Sequence, residues 1–337
     1  MTAWGFIGSG WVAGDFADGL RDVPGAELAA VCSRHGARAF AERYAVARHY
    51  ADARELVADA AVDVVYVATP NSLHREHCLL ALQAGKPVVC EKPFALTAAD
   101  AREVIDFARE RRLFCMEAMP MRFVPATIRA RELIDAGRIG NLRMVSASFG
   151  HAPAYEHGNR YFDPDLGGGA LFDVGVYAVS LAVMLLGAPR RVSSDAAIGP
   201  SGVDEQSGAV LAYDDGRLAV FEASLRTNLP TEAVISGTEG SLRLAPLYRP
   251  DRVTSTRFDE AAPDRGRVAR ARRVAERVRG NAPDDAVPYP GNGFTCEATE
   301  AMRCLDAGLI ESPVMTHEET LQVMETLDAI RSEWTVG

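Results

Sequence analysis

The stretch Trp4-Gly5-Phe6-Ile7-Gly8-Ser9-Gly10-Trp11-Val12-Ala13 decides the fold of this chain. A short apolar strand runs into a glycine turn and then a helix, the context in which G-x-G-x-x-A indicates a dinucleotide-binding loop. Gly8 permits the tight turn, Gly10 lets the backbone approach a pyrophosphate, and Ala13 allows close helix–strand packing. The helix N-terminus then faces the phosphate charge. The alternative is an ordinary strand–turn–helix with incidental glycines. We predict that cofactor contacts come from Gly8, Ser9, Gly10, Trp11 and Val12.

The end of the second strand, 27–32, predicts which dinucleotide binds. NAD-preferring proteins usually carry an acidic residue here for the ribose 2′-hydroxyl. This chain has Ser33-Arg34 instead, with Arg38 one helical turn further on. A hydroxyl and two guanidiniums can hold a 2′-phosphate by charge-assisted hydrogen bonds. We therefore predict NADP, with NAD less favoured. The alternative leaves both arginines as solvated helix-surface residues.

Strand and helix signals predict two domains. They alternate through the first third of the chain, which indicates a doubly wound parallel sheet of Rossmann type. After about residue 121 a helix and a series of strand-like runs with turns between them indicate an α+β domain on a large, mainly antiparallel open sheet. We predict an NAD(P)-binding domain at 1–121 and a substrate-binding and dimerisation domain at 122–337. The last helices are expected to pack back on the first domain.

Composition limits the class of partner. The net charge of −10 argues against nucleic acid, because a phosphate backbone would be repelled. We see no apolar run of the roughly 20 residues that a bilayer requires, and no export signal before the first strand. These features predict a cytoplasmic protein, and the open sheet predicts a homodimer or higher homo-oligomer. An arginine-rich segment, 249–279, is expected to be a solvated loop with a short helix at 268–278.

Polar clusters follow two strands of the predicted parallel sheet. Thr69, Asn71 and His74 come after the strand at 62–68, where they could line the ribose and nicotinamide. Glu91 and Lys92 come directly after the strand that ends at Cys90. Ligands bind at the carboxyl ends of such strands. His74 and His77 stand three residues apart, but no further ligand completes a metal site, so we predict none.

A third cluster begins a helix after three glycines. Asp173 and Tyr177 lie four residues apart on one helix face, and Asp173 could hold the ammonium group of Lys92. Tyr177 could then exchange a proton with a substrate oxygen while Lys92 lowers the pKa of the tyrosine. The alternative makes Tyr177 a core residue and Asp173 a partner of the helix dipole.

These motifs, in this order, resemble the glucose–fructose oxidoreductase/inositol dehydrogenase family over nearly the whole chain. Tyr177, where many members carry histidine, indicates the branch of dimeric dihydrodiol dehydrogenases and NADP-dependent D-xylose 1-dehydrogenases. The same branch is indicated by Met116-Glu117-Ala118-Met119, Arg122-Phe123 and Phe294-Thr295-Cys296-Glu297.

The resemblance implies a Rossmann domain, a dimerising substrate domain and NADP(H), with Lys92 and Tyr177 as the catalytic pair and Asp173 supporting them. It also brings Arg122 among the cofactor-binding residues. Pro120 stands where mammalian dihydrodiol dehydrogenases have a tryptophan, so an aromatic pocket loses stacking area. We therefore predict a sugar or polyol substrate, which Arg160 could contact. The alternatives are a trans-dihydrodiol dehydrogenase and a non-catalytic NADP-binding sensor.

Overall fold

A six-stranded parallel sheet forms the first part of the protein. The computed structural model describes residues 1–155, 158–258 and 285–334. The strands lie in the order β3-β2-β1-β4-β5-β6, and every neighbouring pair is parallel. This is the strand order of the dinucleotide-binding fold, so the predicted Rossmann architecture is confirmed. The strands are β1 (Thr2–Ile7), β2 (Ala26–Cys32), β3 (Arg48–Tyr50), β4 (Val64–Val67), β5 (Val88–Glu91) and β6 (Cys115–Ala118).

Five helices connect these strands. They are α1 (Trp11–Leu20), α2 (Ala37–Tyr44), α3 (Ala53–Ala58), α4 (His74–Gln83) and α5 (Ala98–Arg111). The strands β4, β5 and β6 are buried at every residue, as expected for a sheet covered on both faces. Tyr66 on β4 stacks on Phe16 of α1 with ring centroids 3.8 Å apart. This packing fixes α1 across the sheet.

A second, mixed sheet of eight strands follows α6 (Pro125–Asp135). Its order is β14-β13-β12-β11-β7-β10-β9-β8. Only the described pair β7/β10 is parallel, so the predicted mainly antiparallel sheet is confirmed. The strands are β7 (Leu142–Gly150), β8 (Arg191–Ile198), β9 (Asp204–Ala212), β10 (Leu218–Ser224), β11 (Leu229–Gly237), β12 (Gly240–Leu244), β13 (Arg252–Arg257) and the two-residue β14 (Asp285–Ala286).

One face of this second sheet exposes apolar side chains. Met144 pairs with Leu218, and Val210 lies on the same face one step further along the register. Each of the three is more than a third exposed. The predicted homodimer, like the predicted cytoplasmic location and the domain boundary at residue 121, stays a prediction.

The last two helices, α8 (Phe294–Asp306) and α9 (His317–Ser332), pack back on the Rossmann sheet and its helices. Asn292, just before α8, donates to the carbonyl of Asp15 in α1 at 2.7 Å, and Thr295 donates to the carbonyl of Gly19 at 3.0 Å. From α9, Asp328 accepts from the backbone of Ala98. These contacts place the start of α8 beside the glycine-turn helix.

An apolar helix packs on the second sheet and against α9. A five-residue π-helical turn, Leu171–Gly175, leads into α7 (Val176–Leu186). Among the described residues, Pro164–Leu186 is the one stretch long and apolar enough to span a membrane. We did not predict an apolar stretch of this length from the sequence. In its most apolar 18-residue segment, 83% of the residues are buried inside the fold. The expectation of a solvated loop at the start of the arginine-rich segment is wrong, because Arg252–Arg257 form β13 and Val253 is buried. The predicted helix at 268–278 lies outside the described residues.

Candidate active site

A cleft of about 1110 Å³ opens at the carboxyl ends of β1, β2, β4 and β5. This is where open parallel sheets bind ligands. The structure brings most of the predicted residues together in its wall. Those lining the cleft are Gly8, Ser9, Gly10, Trp11, Val12, Ser33, Arg34, Thr69, Asn71, His74, Glu91, Lys92, Pro120, Arg160 and Tyr177.

The glycine turn has the geometry that a dinucleotide needs. Gly8 has φ +122°, and a Cβ there would lie 2.2 Å from the carbonyl oxygen of Ala68, so no other residue fits. Gly10 has ordinary backbone angles, and a Cβ there would meet nothing within 4 Å. The space in front of Gly10 is therefore open toward the cleft. Because the first turn of α1 carries no acidic side chain, its N-terminus is free to attract an anion.

The far end of the cleft holds only one of the two predicted arginines. Arg34 lines the cleft. Arg38 does not, because its Nε donates to Glu42 Oε1 at 2.9 Å one turn along the exposed face of α2. The predicted role of Arg38 is thus not supported by its position. Arg54, at the start of α3, lines the cleft in its place and lies 3.6 Å from Asp52.

The residues after β4 mostly hold the wall of the cleft. Asn71 donates from Nδ2 to the carbonyl of Gly167 at 2.8 Å and so joins the loop to the segment before α7. Thr69 Oγ1 contacts His77 Nδ1 at 3.2 Å. His74 is fully buried, with ring nitrogens 2.8 Å from the carbonyl of Pro93 and 3.0 Å from that of Thr69. Burial lowers the pKa of His74 to about 4, although the two carbonyl contacts oppose this. Because both ring nitrogens face backbone carbonyls, His74 holds the wall in place and offers no free nitrogen to a cofactor.

Lys92 enters the cleft from the end of β5. Its Nζ donates to the backbone carbonyl of Asp173 at 2.6 Å and lies 4.7 Å from the centre of the Tyr177 ring. Burial lowers the pKa of Lys92, although the nearby Asp173 opposes this. Lys86 and Lys92 are the two lysines of a chain otherwise rich in arginine. Lys92 is therefore a cation that can lose its proton, which an arginine cannot do.

Glu91 sits directly behind this lysine. Its Oε1 accepts from the Tyr66 hydroxyl at 2.5 Å and its Oε2 from the backbone nitrogen of Lys92 at 3.2 Å. Burial raises the pKa of Glu91. Glu91 therefore anchors the end of β5 and fixes the backbone from which Lys92 projects.

Asp173 lies on the π-helical turn, where two side chains hydrogen-bond its carboxylate and a third cation lies nearby. His151 Nε2 lies 2.9 Å from its Oδ2, Arg160 Nη2 donates to its Oδ1 at 3.1 Å, and Lys92 Nζ is 4.0 Å from Oδ1. Burial tends to raise the pKa of Asp173, but Lys92, the His151 hydrogen bond and Arg160 outweigh it and bring the pKa to about 2. Asp173 is thus an ionised carboxylate behind the cleft wall.

Tyr177 projects from the first turn of α7 into the cleft. Its ring lies 5.6 Å from the ring of Phe149. Burial raises the pKa of Tyr177 well above its ordinary value, and the charges of Glu91 and Asp173 act in the same direction. Our expectation that Lys92 lowers this pKa is therefore wrong for this structure, because burial and the two carboxylates dominate. Burial therefore makes Tyr177 harder to deprotonate and Lys92 easier to deprotonate than the free side chains.

Arg122 lies outside the cleft. It is 1% exposed; its Nε donates to Ser180 Oγ at 2.9 Å, and its Nη1 donates to Glu319 Oε1 at 3.0 Å. All of these partners belong to α7 and α9, so Arg122 ties these helices to the loop after β6. The structure does not support the predicted role of Arg122 in cofactor binding.

Two residues of the site were missed in the sequence analysis. His151 follows β7, and no other polar residue stands at a spacing from it that would indicate a motif. Arg54 follows the three-residue strand β3, whose sequence Arg-His-Tyr shows no alternation. Only the prediction of that strand could have indicated that Arg54 reaches the cleft.

The residues present fit a nicotinamide dinucleotide. The open approach at Gly10, the free N-terminus of α1 and Arg34 suit the phosphates, while Lys92 and Tyr177 lie at the other end of the same cleft. The fold and site therefore define an oxidoreductase with a dinucleotide-binding Rossmann fold.

Comparison with known proteins identifies the family. Residues 2–119 match the oxidoreductase family with an NAD-binding Rossmann fold, and residues 127–243 match the GFO/IDH/MocA C-terminal domain. The chain is 34% identical over 336 residues to trans-1,2-dihydrobenzene-1,2-diol dehydrogenase of Mus musculus, a match that covers 97% of this chain and 95% of that protein. This chain belongs to the GFO/IDH/MocA oxidoreductase family, as the motifs predicted.

Two further relatives share the full length. The chain is 29% identical to scyllo-inositol 2-dehydrogenase (NADP(+)) IolU of Bacillus subtilis, covering 99% of this chain and 97% of that protein. Among solved structures, KijD10, a 3-ketoreductase from Actinomadura kijaniata in complex with NADP and TDP-benzene, matches with a TM-score of 0.83. Its identity is 26%, and the match covers 99% of this chain and 98% of that one.

Proposed function

We propose that this protein is an NADP(H)-dependent dehydrogenase of a sugar or polyol, which interconverts a secondary alcohol and its carbonyl form. The observation that carries the proposal is the placement of Lys92 and Tyr177 together in the cleft that begins at Gly10. The cofactor, when bound, accepts or supplies the hydride. The protein residues must then orient the reacting oxygen and move its proton.

In this proposal Tyr177 orients the substrate oxygen and Lys92 transfers the proton. Because the pKa of Tyr177 is raised, its hydroxyl donates a hydrogen bond to the substrate oxygen and positions it. Because burial lowers the pKa of Lys92, its amine takes the proton that the alcohol loses on oxidation and returns it on reduction. Arg160, which also lines the cleft, is available to hold a neighbouring hydroxyl.

We propose NADP rather than NAD because of the side chains that follow β2. Ser33 Oγ donates to the carbonyl of His35 at 2.7 Å, which fixes the turn from which Arg34 projects. Asp52, the acidic residue that also lines this end, accepts from the backbone of Arg54 at the start of α3. Arg34 and Arg54 line the same end of the cleft, and we propose that they bind the 2′-phosphate, with Arg54 shared between that phosphate and Asp52.

Arg34→Ala is expected to raise the KM for NADP by about 10- to 100-fold, the loss of one charge-assisted contact. The KM for NAD should stay within about threefold, because NAD lacks the 2′-phosphate. Steady-state kinetics with both cofactors measures the change. Arg38→Ala is the matched control, since its guanidinium pairs with Glu42 outside the cleft. Equal losses for NADP and NAD in Arg34→Ala would contradict the assignment.

A substrate panel tests the proposed function. Purified protein with NADP is offered aldoses, inositols and trans-dihydrodiols, and NADPH formation is followed by absorbance. Turnover of one sugar or polyol class supports the proposal. Turnover of the dihydrodiols alone would replace it with the activity named for the mouse relative. Cofactor binding without turnover of any class would favour a sensor instead.

A further inference from the structure

His151 is the residue of the site that neither the motifs nor the proposed chemistry uses. It lies directly after β7, its backbone nitrogen donates to the carbonyl of Ser224 at 3.0 Å, and its ring packs edge-on against Tyr161 at 5.1 Å. Its Nε2 reaches Asp173 Oδ2 at 2.9 Å. Because Asp173 is ionised and can only accept, the hydrogen lies on His151 Nε2.

The two oxygens of Asp173 are therefore both occupied by groups other than Lys92. His151 holds Oδ2, and Arg160, which also lies 4.3 Å over the Tyr161 ring, holds Oδ1 at 3.1 Å. The distance from Lys92 Nζ to Asp173 Oδ1 is 4.0 Å, beyond hydrogen-bonding range. Lys92 instead donates to the backbone carbonyl of Asp173.

We propose that His151 is a positioning residue: by holding one oxygen of the Asp173 carboxylate, it keeps that carboxylate from closing onto the Lys92 ammonium. A direct, buried ion pair would stabilise the charged lysine and withdraw it from proton exchange. The 4.0 Å separation leaves Lys92 oriented by Asp173 but still able to lose its proton. This inference rests on the proposed function only for its effect on turnover.

The charged and titratable groups that face Lys92 and His151 are those through which a change at His151 could alter the pKa of Lys92. Around Lys92 these are Asp173 and Tyr177 from the segment entering α7, Arg160 from the preceding loop, Glu91 on its own strand and Glu117 from β6. His151 faces Asp173 and Tyr161. Of these groups, Asp173 is the one that contacts both residues. Removal of the His151 hydrogen bond therefore acts on Lys92 through Asp173.

The test titrates Lys92 directly in the full-length protein without cofactor or substrate. Since the chain has two lysines, ¹³C-labelled lysine gives two ε-carbon NMR signals, and Lys86→Arg assigns them. His151→Phe keeps an aromatic ring against Tyr161 but lacks the donor, and His151→Leu repeats the removal if the first variant does not fold. His151→Gln is the matched control, because its Nε2 stands the same number of bonds from Cβ as the histidine Nε2.

We expect the donor-less variant to raise the pKa of Lys92 by about 1 unit or more and His151→Gln to leave it unchanged. In the pH profile of kcat/KM, the acid limb should move to higher pH by the same amount, and only in the donor-less variant. An unchanged Lys92 titration in His151→Phe, or an equal shift in His151→Gln, would overturn the proposal. If the pKa of Lys92 rises in the donor-less variant but neither the wild type nor any variant turns over a substrate, the proposed function fails and the positioning role of His151 stands.

Discussion

Lys92→Met is expected to lower kcat for alcohol oxidation by about 10²- to 10⁴-fold, the range for loss of a general acid–base group. The methionine side chain fills a similar space but can neither accept a proton nor donate to the Asp173 carbonyl. NADPH affinity should change far less, because the phosphates bind at the glycine turn. Stopped-flow turnover and fluorescence titration with NADPH measure the two quantities separately.

Two further variants separate charge from proton transfer at this position. Lys92→Arg keeps a positive charge but cannot lose its proton, so it should be as inactive as Lys92→Met. Lys86→Met is the matched control. Lys86 donates to the backbone carbonyls of Asp59 and Val62 and does not line the cleft. Near-normal kcat in Lys92→Arg would show that charge alone suffices and would contradict the assigned role.

Tyr177→Phe is expected to lower kcat/KM by about 10²- to 10³-fold, comparable to the loss of one donor to a developing oxyanion. The ring contacts with Phe149 and Lys92 are kept, and the hydroxyl makes no hydrogen bond to any residue in 1–155, 158–258 or 285–334. Thermal stability and NADPH affinity should therefore match the wild type. Steady-state kinetics and thermal denaturation provide the measurements.

Tyr248→Phe is the control for this variant. Tyr248 stacks on the same Phe149 at 5.6 Å but does not line the cleft, so the loss of its hydroxyl should leave kcat/KM near the wild-type value. A Tyr177→Phe enzyme with full activity would mean that Lys92 alone orients the substrate oxygen.

Hydrophobic runs made most of the first sheet predictable. The buried strands β1, β4 and β5 are mostly apolar segments bounded by turns, a pattern that can be recognised from sequence alone. β3 was not predicted because Arg48–Tyr50 is a three-residue edge strand with a mostly polar surface. The helix α3 and the cleft residue Arg54 were missed with it.

The site could be predicted where residues follow a strand end. Lys92 and Asp173 were expected to meet because both were expected at the sheet's carboxyl edge, and they do. Sequence could not show that Arg122 is buried between α7 and α9, since both partners lie far along the chain at Ser180 and Glu319. It also could not show the raised pKa of Tyr177, which depends on burial.

The most direct test of the account is a fluorescence titration with NADPH of the wild type and of Gly10→Val. The valine has room in the protein alone, because nothing lies within 4 Å of its Cβ position, so the folded state and its melting temperature should be kept. It would occupy the space through which the backbone approaches the pyrophosphate. We predict saturable NADPH binding by the wild type and none by an equally stable Gly10→Val. Equal binding by both proteins, or no binding by the wild type, would contradict the cofactor site and the function proposed from it.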